Sequence, residues 1–218
     1  MNPSPSNSRL YLKQIEAGPM ANFIYLVGDR ETRECVMIDP AWEVDRILQI
    51  AAADDMKVIA GLATHYHYDH VNGIDDLLTE LQVPVYIHKA DAPYLKDVQS
   101  DVKKVDSGSK LKVGEMEITF IHTPGHTPGS QCFLVNGNLV SGDTLFINAC
   151  GRCDLPGGNA EELYHSLQLL GKLDEKTVLF PGHNYEDGQT TSTIGDEKRH
   201  NPYYQFKSLR EFLGIRQR

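Results

Sequence analysis

Short strand-like runs of apolar residues alternate along the chain with amphipathic helical patterns. NFIYLVGD and ECVMIDP are typical of two strands joined by a polar turn, and EVDRILQIAAADD after them has apolar residues at helical spacing. VIAGLAT and PVYIH have the composition of strands, and GIDDLLTELQ between them has that of a helix. The first half of the chain is therefore predicted to alternate strands with helices.

The second half continues the alternation. We predict a helix over KADAPYLKD, one strand each over KLKVGEMEITFIHTPGH and SQCFLVNGNLVSGD, a helix over NAEELYHSLQLLGKL, a strand over TVLFPGH and a polar, Tyr-rich tail. Strands dominate and helices separate them, which predicts an α/β sandwich with helices outside mixed sheets. With 218 residues, 40% of them hydrophobic, the chain is expected to form one domain over residues 1–218, its first eight residues being disordered.

Composition excludes several classes of function. The net charge of −9, with no run of Lys or Arg, argues against binding to nucleic acid, which requires clustered cations. No apolar stretch has the length of a membrane span, and the first residues, MNPSPSNSRL, lack a secretory pattern. We therefore expect no membrane partner and a cytoplasmic location, where the four cysteines would be reduced thiols. The sequence does not predict an oligomeric state.

Residues that can bind a metal follow four of the predicted strands, each introduced by a small or turn-forming segment. They are His65, His67, Asp69 and His70 after VIAGLAT, His126 after ITFIHTPG, Asp143 after NLVSG and His183 after TVLFPG. Loops at one edge of a sheet can converge, so these side chains are expected to meet there. A single histidine is more often a hydrogen-bonded surface or core residue than a ligand, but the crowded HYHYDH segment requires a cation.

Counting the side chains gives enough ligands for two metal ions. His65, His67 and His126 form one set, Asp69, His70 and His183 form a second, and Asp143 can bridge them. We expect two divalent ions, with zinc as the first choice and iron or manganese as alternatives. Two ions at close range make hydroxide available near neutral pH and polarise a carbonyl, so no protein nucleophile is needed.

The segments THYHYDHVNG, TPGHTPGS, SGDTLF and FPGHNY, in this order, resemble the metallo-β-lactamase superfamily and, within it, the glyoxalase II-like branch. The similarity spans roughly residues 10–205. It implies an αββα sandwich, two mixed β-sheets flanked by helices, and the ligand sets given above, with Asp69 and Asp143 as catalytic carboxylates. Asp39 in MIDP matches a position that supports the metal loop; a turn former before Pro40 is the alternative.

The resemblance implies a thioesterase. Its metal-bound hydroxide would cleave a thioester or ester-like bond of a small-molecule substrate, and a glutathione conjugate is one candidate. Arg152, in the segment CGRC, matches a basic position that would bind glutathione, and Tyr185 after His183 would contact the substrate; a surface role for Arg152 and simple packing for Tyr185 are the alternatives. A redox pair of Cys150 and Cys153 is a further reading, but the segment lacks a thioredoxin-like strand-to-helix setting.

A second enzyme class shares the resemblance. YLVGDRETRECVMIDP, CGR and STIGDEKRHNP are also similar to persulfide dioxygenases, which would use one iron on His65, His126 and Asp143. The residues between the ligands in THYHYDH, and Thr144 after the aspartate in GDTLF, favour the hydrolase. A non-catalytic metal-binding module is the third hypothesis, and it predicts a missing ligand where none is missing.

Overall fold

The computed structural model describes residues 9–95, 102–186 and 188–216. Sheet one contains, in chain and spatial order, β1 (Leu10–Ala17), β2 (Asn22–Asp29), β3 (Glu34–Ile38), β4 (Lys57–Leu62), β5 (Val85–His88) and β6 (Lys103–Val105). Sheet two contains β7 (Lys110–Val113), β8 (Met116–His122), β9 (Gln131–Val135), β10 (Asn138–Gly142), β13 (Val178–Pro181) and β14 (Ser192–Thr193), in the spatial order β14-β13-β10-β9-β8-β7. A small hairpin joins β11 (Leu145–Phe146) to β12 (Ala149–Cys150). The disorder predicted for the first eight residues lies outside the described residues.

Helices cover the outer face of both sheets. They are α1 (Val44–Ala53), α2 (Tyr68–Val71), α3 (Ile74–Leu81), α4 (Ala160–Leu170), α5 (Ile194–His200) and α6 (Leu209–Arg216). Apolar residues of α1 and α3 pack on sheet one, and those of α4, α5 and α6 pack on sheet two. The predicted αββα sandwich with two mixed sheets is therefore confirmed. Among the described residues, no helix has the length and apolar content needed to cross a bilayer.

Strand β2 illustrates why the sandwich forms. Successive side chains of a strand point to opposite faces. Phe23, Tyr25 and Val27 lie between the two sheets, whereas Ile24 and Leu26 lie under the helices. Because both faces of the strand are covered, all eight of its residues are buried, which explains why it has a continuous apolar run instead of an alternating one.

Three local predictions were wrong. KADAPYLKD contains only a short 3₁₀ turn, Ala92–Tyr94, within its described part, since Pro93 and the brief apolar pattern do not support an α-helix. Each long strand predicted in sheet two is a hairpin, β7–β8 and β9–β10. The polar, Tyr-rich tail contains β14, α5 and α6. None of the four cysteines, all of which lie within the described residues, forms a disulfide.

The strands that lead to the predicted ligands end at one edge of the sandwich. β3 and β4 are parallel, as are β10 and β13, and β8 runs with β10 because both are antiparallel to β9. Hydrogen bonds join the two sheets at this edge, from Phe23 N to Gly182 O at 2.8 Å and from Gln131 N to Thr64 O at 2.9 Å. The fold therefore brings the four loops to one place.

Candidate metal centre

All seven predicted ligands meet at this edge of the sandwich. The loop after β4 and helix α2 supply four of them, and the loops after β8, β10 and β13 supply one each. Glycine is required where the loops approach one another. A Cβ at Gly182 would lie 2.4 Å from Oδ1 of Asp143, and a Cβ at Gly142, where φ is +48°, would lie 2.5 Å from Oγ1 of Thr64.

The first set presents three imidazole nitrogens to one point. Nδ1 of His67 lies 3.1 Å from Nε2 of His65 and 2.9 Å from Nε2 of His126. Tetrahedral zinc with bonds of about 2.0–2.1 Å separates its nitrogen ligands by about 3.3 Å. The three nitrogens are thus close to the arrangement that such an ion requires.

The second set is equally close. Nε2 of His70 lies 3.1 Å from Nε2 of His183, and Oδ2 of Asp69 lies 3.4 Å from each of these nitrogens. The ligand atoms of each set lie within 4.8 Å of one another. Two nitrogens and a carboxylate oxygen can bind a divalent ion and leave a position open for a further ligand.

Asp143 lies between the two sets. Its Oδ2 is 3.6 Å from Nε2 of His126 in the first set and 3.4 Å from Nε2 of His183 in the second. Its Oδ1 is buried and accepts no hydrogen bond from any described residue, although Nε2 of His70 is 3.4 Å away. A buried carboxylate oxygen without a donor is costly, and a cation between the two sets would satisfy it.

The far nitrogens of the histidines are held by other groups. Nδ1 of His126 donates to the carbonyl of Arg152 at 2.7 Å, and Nδ1 of His183 donates to the carbonyl of Met20 at 2.9 Å. A carbonyl oxygen can only accept, so each neutral ring carries its proton on Nδ1 and presents the lone pair of Nε2 to the centre. This is the tautomer that a metal ligand needs.

Charge in the centre also favours a cation. Burial lowers the pKa of His65 well below its ordinary value and that of His67 to about 4, so both are neutral near pH 7. Burial also acts to lower the pKa of His70, but the carboxylates of Asp143 and Asp39 outweigh it and raise that pKa to about 9. Burial opposes ionisation of Asp143, yet the neighbouring histidines hold its pKa well below the usual range. The residues present therefore fit divalent ions.

Asp39 orients both the ligand loop and a ligand. Its Oδ1 accepts from the backbone N–H of Thr64 at 2.6 Å, and its Oδ2 accepts from Oγ1 of Thr64 at 2.8 Å. Oδ2 also lies 2.9 Å from Nδ1 of His70. Asp39 therefore supports the metal loop, as predicted. Its backbone has a φ of +53°.

Asn22 is a supporting residue that the sequence did not predict. Its Nδ2 donates to the carbonyl and to Oδ2 of Asp69, both at 3.0 Å, and its Oδ1 accepts from Nε1 of Trp42 at 3.0 Å. Asn22 is far from these partners in the chain and begins an ordinary strand. No local pattern could have identified it.

The two predicted substrate contacts differ in their placement. The ring of Tyr185 stacks on the ring of His183, with 4.6 Å between centroids and 7° between planes, and is 62% exposed. The guanidinium of Arg152 is exposed and forms two hydrogen bonds with Asp154, at 2.8 and 2.7 Å. Tyr185 therefore forms part of the rim of the centre, whereas Arg152 is paired within its own loop.

Further aromatic rings stand around the centre. Tyr94 stacks on Tyr66, whose ring contacts that of His67 at 4.9 Å, and Tyr68 packs edge-on against Trp42. Tyr68 and Tyr94 are 69% and 42% exposed. Together with Tyr185 they give the rim of the centre apolar ring surfaces.

Comparison with known proteins agrees with this geometry. The family model of the metallo-β-lactamase superfamily matches residues 17–183. The chain belongs to the metallo-β-lactamase superfamily. The matched range contains all seven candidate ligands, which the structure brings into groups that could hold metal ions.

The names of the sequence relatives indicate two different activities, hydrolase and dioxygenase. Over 91% of the chain and 88% of the relative, the sequence is 30% identical to the probable polyketide biosynthesis zinc-dependent hydrolase BaeB of Bacillus velezensis. Over 97% of the chain and 82% of the relative, it is 32% identical to the mitochondrial persulfide dioxygenase ETHE1 of Mus musculus. Membership in the superfamily therefore does not by itself decide between a hydrolase and a dioxygenase.

Two solved structures have the same fold. ETHE1 from Myxococcus xanthus superposes with a TM-score of 0.86 at 34% identity, covering 95% of this chain and 90% of that one. TTHA1623 in a di-iron-bound form superposes with a TM-score of 0.78 at 31% identity, covering 88% of this chain and 99% of that one. The second structure shows that this fold accommodates two metal ions in a relative of this chain.

Proposed function

We propose that this chain is a hydrolase with two divalent metal ions that cleaves a thioester or an ester-like bond. The observation that carries the proposal is the complete second set of Asp69, His70 and His183, whose ligand atoms lie within 4.8 Å of one another. An enzyme working with a single ion does not require a second set that is ordered this closely.

Each member of the second set has a partner that aims it. Asn22 donates to Asp69, Asp39 contacts Nδ1 of His70, and a backbone carbonyl accepts from Nδ1 of His183. Removing a group that orients a metal ligand in this way commonly lowers metal affinity or activity by about 10- to 100-fold. Their presence around the second set supports its use as a metal site.

The chemistry divides between the ions and the chain. Two divalent ions, when bound, would supply hydroxide near neutral pH and polarise the substrate carbonyl. Asp143 provides the negative charge that faces both sets. Asp69, whose side chain is 14% exposed and is held by Asn22, can accept a hydrogen bond from the attacking water and orient it. We propose zinc as the metal, with iron and manganese as alternatives suited to the same ligands.

The aromatic rings of the rim favour a substrate that has an apolar acyl group next to the bond that is cleaved. Tyr68, Tyr94 and Tyr185 offer exposed ring faces, which bind apolar groups at little cost. Asp154 already pairs with Arg152 and would compete with the carboxylates of an anionic thiol such as glutathione for that guanidinium. A small apolar acyl thioester is therefore the first substrate to assay, with a glutathione thioester beside it.

The experiment that tests the proposal compares the wild type with His70→Ala and with a control, His165→Ala. His70 is buried in the second set, whereas His165 is exposed on α4. We expect His70→Ala to lose one of two ions per chain and to reduce kcat for thioester hydrolysis by more than about 100-fold. His165→Ala should retain both ions and the activity. A His70→Ala protein that hydrolyses thioesters at the wild-type rate contradicts the proposal.

A persulfide dioxygenase is the second candidate, favoured by the similarity to ETHE1 in sequence and in structure. It would use one iron on His65, His126 and Asp143. In that arrangement Nδ1 of His67, 2.9 Å from Nε2 of His126, would have no role, and neither would the second set. Oxygen consumption with glutathione persulfide by a protein holding one iron, and retained after His70→Ala, would establish this candidate instead.

A further inference from the structure

A buried aspartate outside the ligand sets connects the two loops that supply the first set. Asp91 follows β5 and is fully buried. Its Oδ2 accepts from the backbone N–H of Tyr66 at 3.0 Å and from Oγ1 of Thr127 at 2.7 Å, while its Oδ1 accepts from the backbone N–H of Gly129 at 2.5 Å. One carboxylate thus holds three donors from two separate loops.

The donors are adjacent to the ligands of the first set. Tyr66 lies between His65 and His67 in the chain, and Thr127 directly follows His126. We propose that Asp91 is a positioning residue that fixes the separation between the His65–His67 loop and the His126 loop, and so the geometry of the first metal site. The inference rests on the proposed two-ion centre and deepens it.

Simpler roles do not account for these contacts. Asp91 precedes the Ala92–Tyr94 turn, but its side chain makes no capping hydrogen bond to that turn. Gln131 also joins the loops, through its backbone N–H to Thr64 O and its Nε2 to Ala63 O, but these contacts lie where β4 ends and β9 begins. Asp91 instead joins the loops beside the ligands, at Tyr66 and Thr127.

The loop sequence agrees with close approach at this point. A Cβ at position 129 would lie 2.6 Å from the carboxylate carbon of Asp91, so the short hydrogen bond from Gly129 requires glycine there. On the other side, Tyr94 of the same turn stacks on Tyr66 with ring centroids 4.6 Å apart. The segment after β5 thus contacts both ligand loops.

Asp91→Asn tests the proposal because it keeps the size of the side chain and removes one acceptor. The amide nitrogen must face either the N–H of Gly129 or that of Tyr66, which sets two donors against each other. Zinc-loaded protein is challenged with increasing chelator, and the ions that remain are counted. We expect one ion per chain to be lost at about tenfold less chelator than in the wild type, with the second ion unaffected.

Asp29→Asn is the matched control. Asp29 is also buried and accepts from two backbone N–H groups, those of Glu31 and Glu115, and from Arg9. It ends β2, seven residues and about 23 Å from the end that contacts the centre. Asp29→Asn should lower the melting temperature and leave the release of both ions as in the wild type.

Two results would overturn the proposal. One is a folded Asp91→Asn protein that releases both ions as the wild type does, and the other is equal weakening of both ions in step with the melting temperature. If Asp91→Asn does not fold, Thr127→Val and Thr127→Ser replace it: the valine should weaken one ion by a few-fold and the serine should restore it. Identical behaviour of these two variants would also contradict the proposal.

The test does not depend on catalysis. A wild-type protein that holds two ions but cleaves no thioester would refute the proposed function. The chelator titration would still test the role of Asp91 in that protein. A wild-type protein that holds one ion on the first set would still release it more easily after Asp91→Asn.

Discussion

Asp39→Asn is the sharpest perturbation of the second metal site that leaves the ligands themselves unchanged. The substitution keeps the side-chain volume, and asparagine tolerates the left-handed backbone of this position, where φ is +53°. What changes is the acceptor capacity facing Thr64 and His70, which together direct three donors at the two oxygens of Asp39.

The structure gives the size of the effect. If the asparagine oxygen faces His70, its NH₂ group faces the backbone N–H of Thr64, and a buried donor left unsatisfied costs about 1–3 kcal/mol. If the NH₂ group faces His70, Nδ1 must become an acceptor, and the ring then carries its proton on Nε2, the atom that faces the metal. The first orientation opposes two donors, so the second is favoured, and it should weaken the ion of the second set by about 10- to 100-fold.

The assay is chelator competition on zinc-loaded protein, with Asp45→Asn as control because Asp45 is exposed on α1. We expect Asp39→Asn to lose the second ion first, with a matching fall in thioester hydrolysis, and Asp45→Asn to behave as the wild type. Asp91→Asn is expected to lose the ion of the first set instead, so the two variants should differ in which ion they release first. Unchanged affinity for both ions in Asp39→Asn would refute the reasoning.

Two further predictions follow from the charges. Asp143→Asn should lower kcat on a thioester by at least about 100-fold, because its carboxylate faces both sets, whereas Arg152→Ala should mainly raise KM by a few-fold; equal small losses in steady-state kinetics would contradict this. Burial raises the pKa of Asp91 from 3.8 to about 6, so the folded protein binds this proton more tightly than the unfolded chain does. Protonation of Asp91 therefore stabilises the fold at low pH, and this stabilisation is lost as the pH rises through 6. Relative to Asp91→Asn, which cannot titrate, the wild type should gain about 1.4 kcal/mol of unfolding free energy between pH 7 and pH 5. Urea unfolding of both proteins at the two pH values measures this gain, and a wild type that gains nothing would show that Asp91 is ionised at both.

The sequence was sufficient to predict the sandwich and the group of seven residues that meets at its edge. Continuous apolar runs such as that of β2 identify strands covered on both faces, and His70, Asp143 and His183 stand in recognisable motifs near strand or helix boundaries. Fold and candidate ligands could therefore be read from local patterns and from the order of the motifs.

The errors were also local in origin. The β9–β10 hairpin turns at Asn136 and Gly137, both with positive φ, and Asn-Gly is a strong signal for such a turn. The predicted single strand overlooked it. KADAPYLKD was assigned to a helix on a pattern too short to distinguish a helix from a turn.

Supporting residues could not be predicted because their partners are distant in the chain. Asn22 contacts Asp69 across 47 positions, and Asp91 contacts Thr127 across 36. Nothing in the residues next to Asn22 or Asp91 distinguishes them from an ordinary strand start or turn residue. Only the folded arrangement reveals that they hold the metal loops.

The most direct test of the two-ion hydrolase is elemental analysis of the wild-type protein, purified without added metal, to count ions per chain. We expect two divalent ions per chain, in keeping with two complete ligand sets on either side of Asp143. A protein that holds a single iron per chain, and takes up no second ion when zinc is supplied, would contradict it.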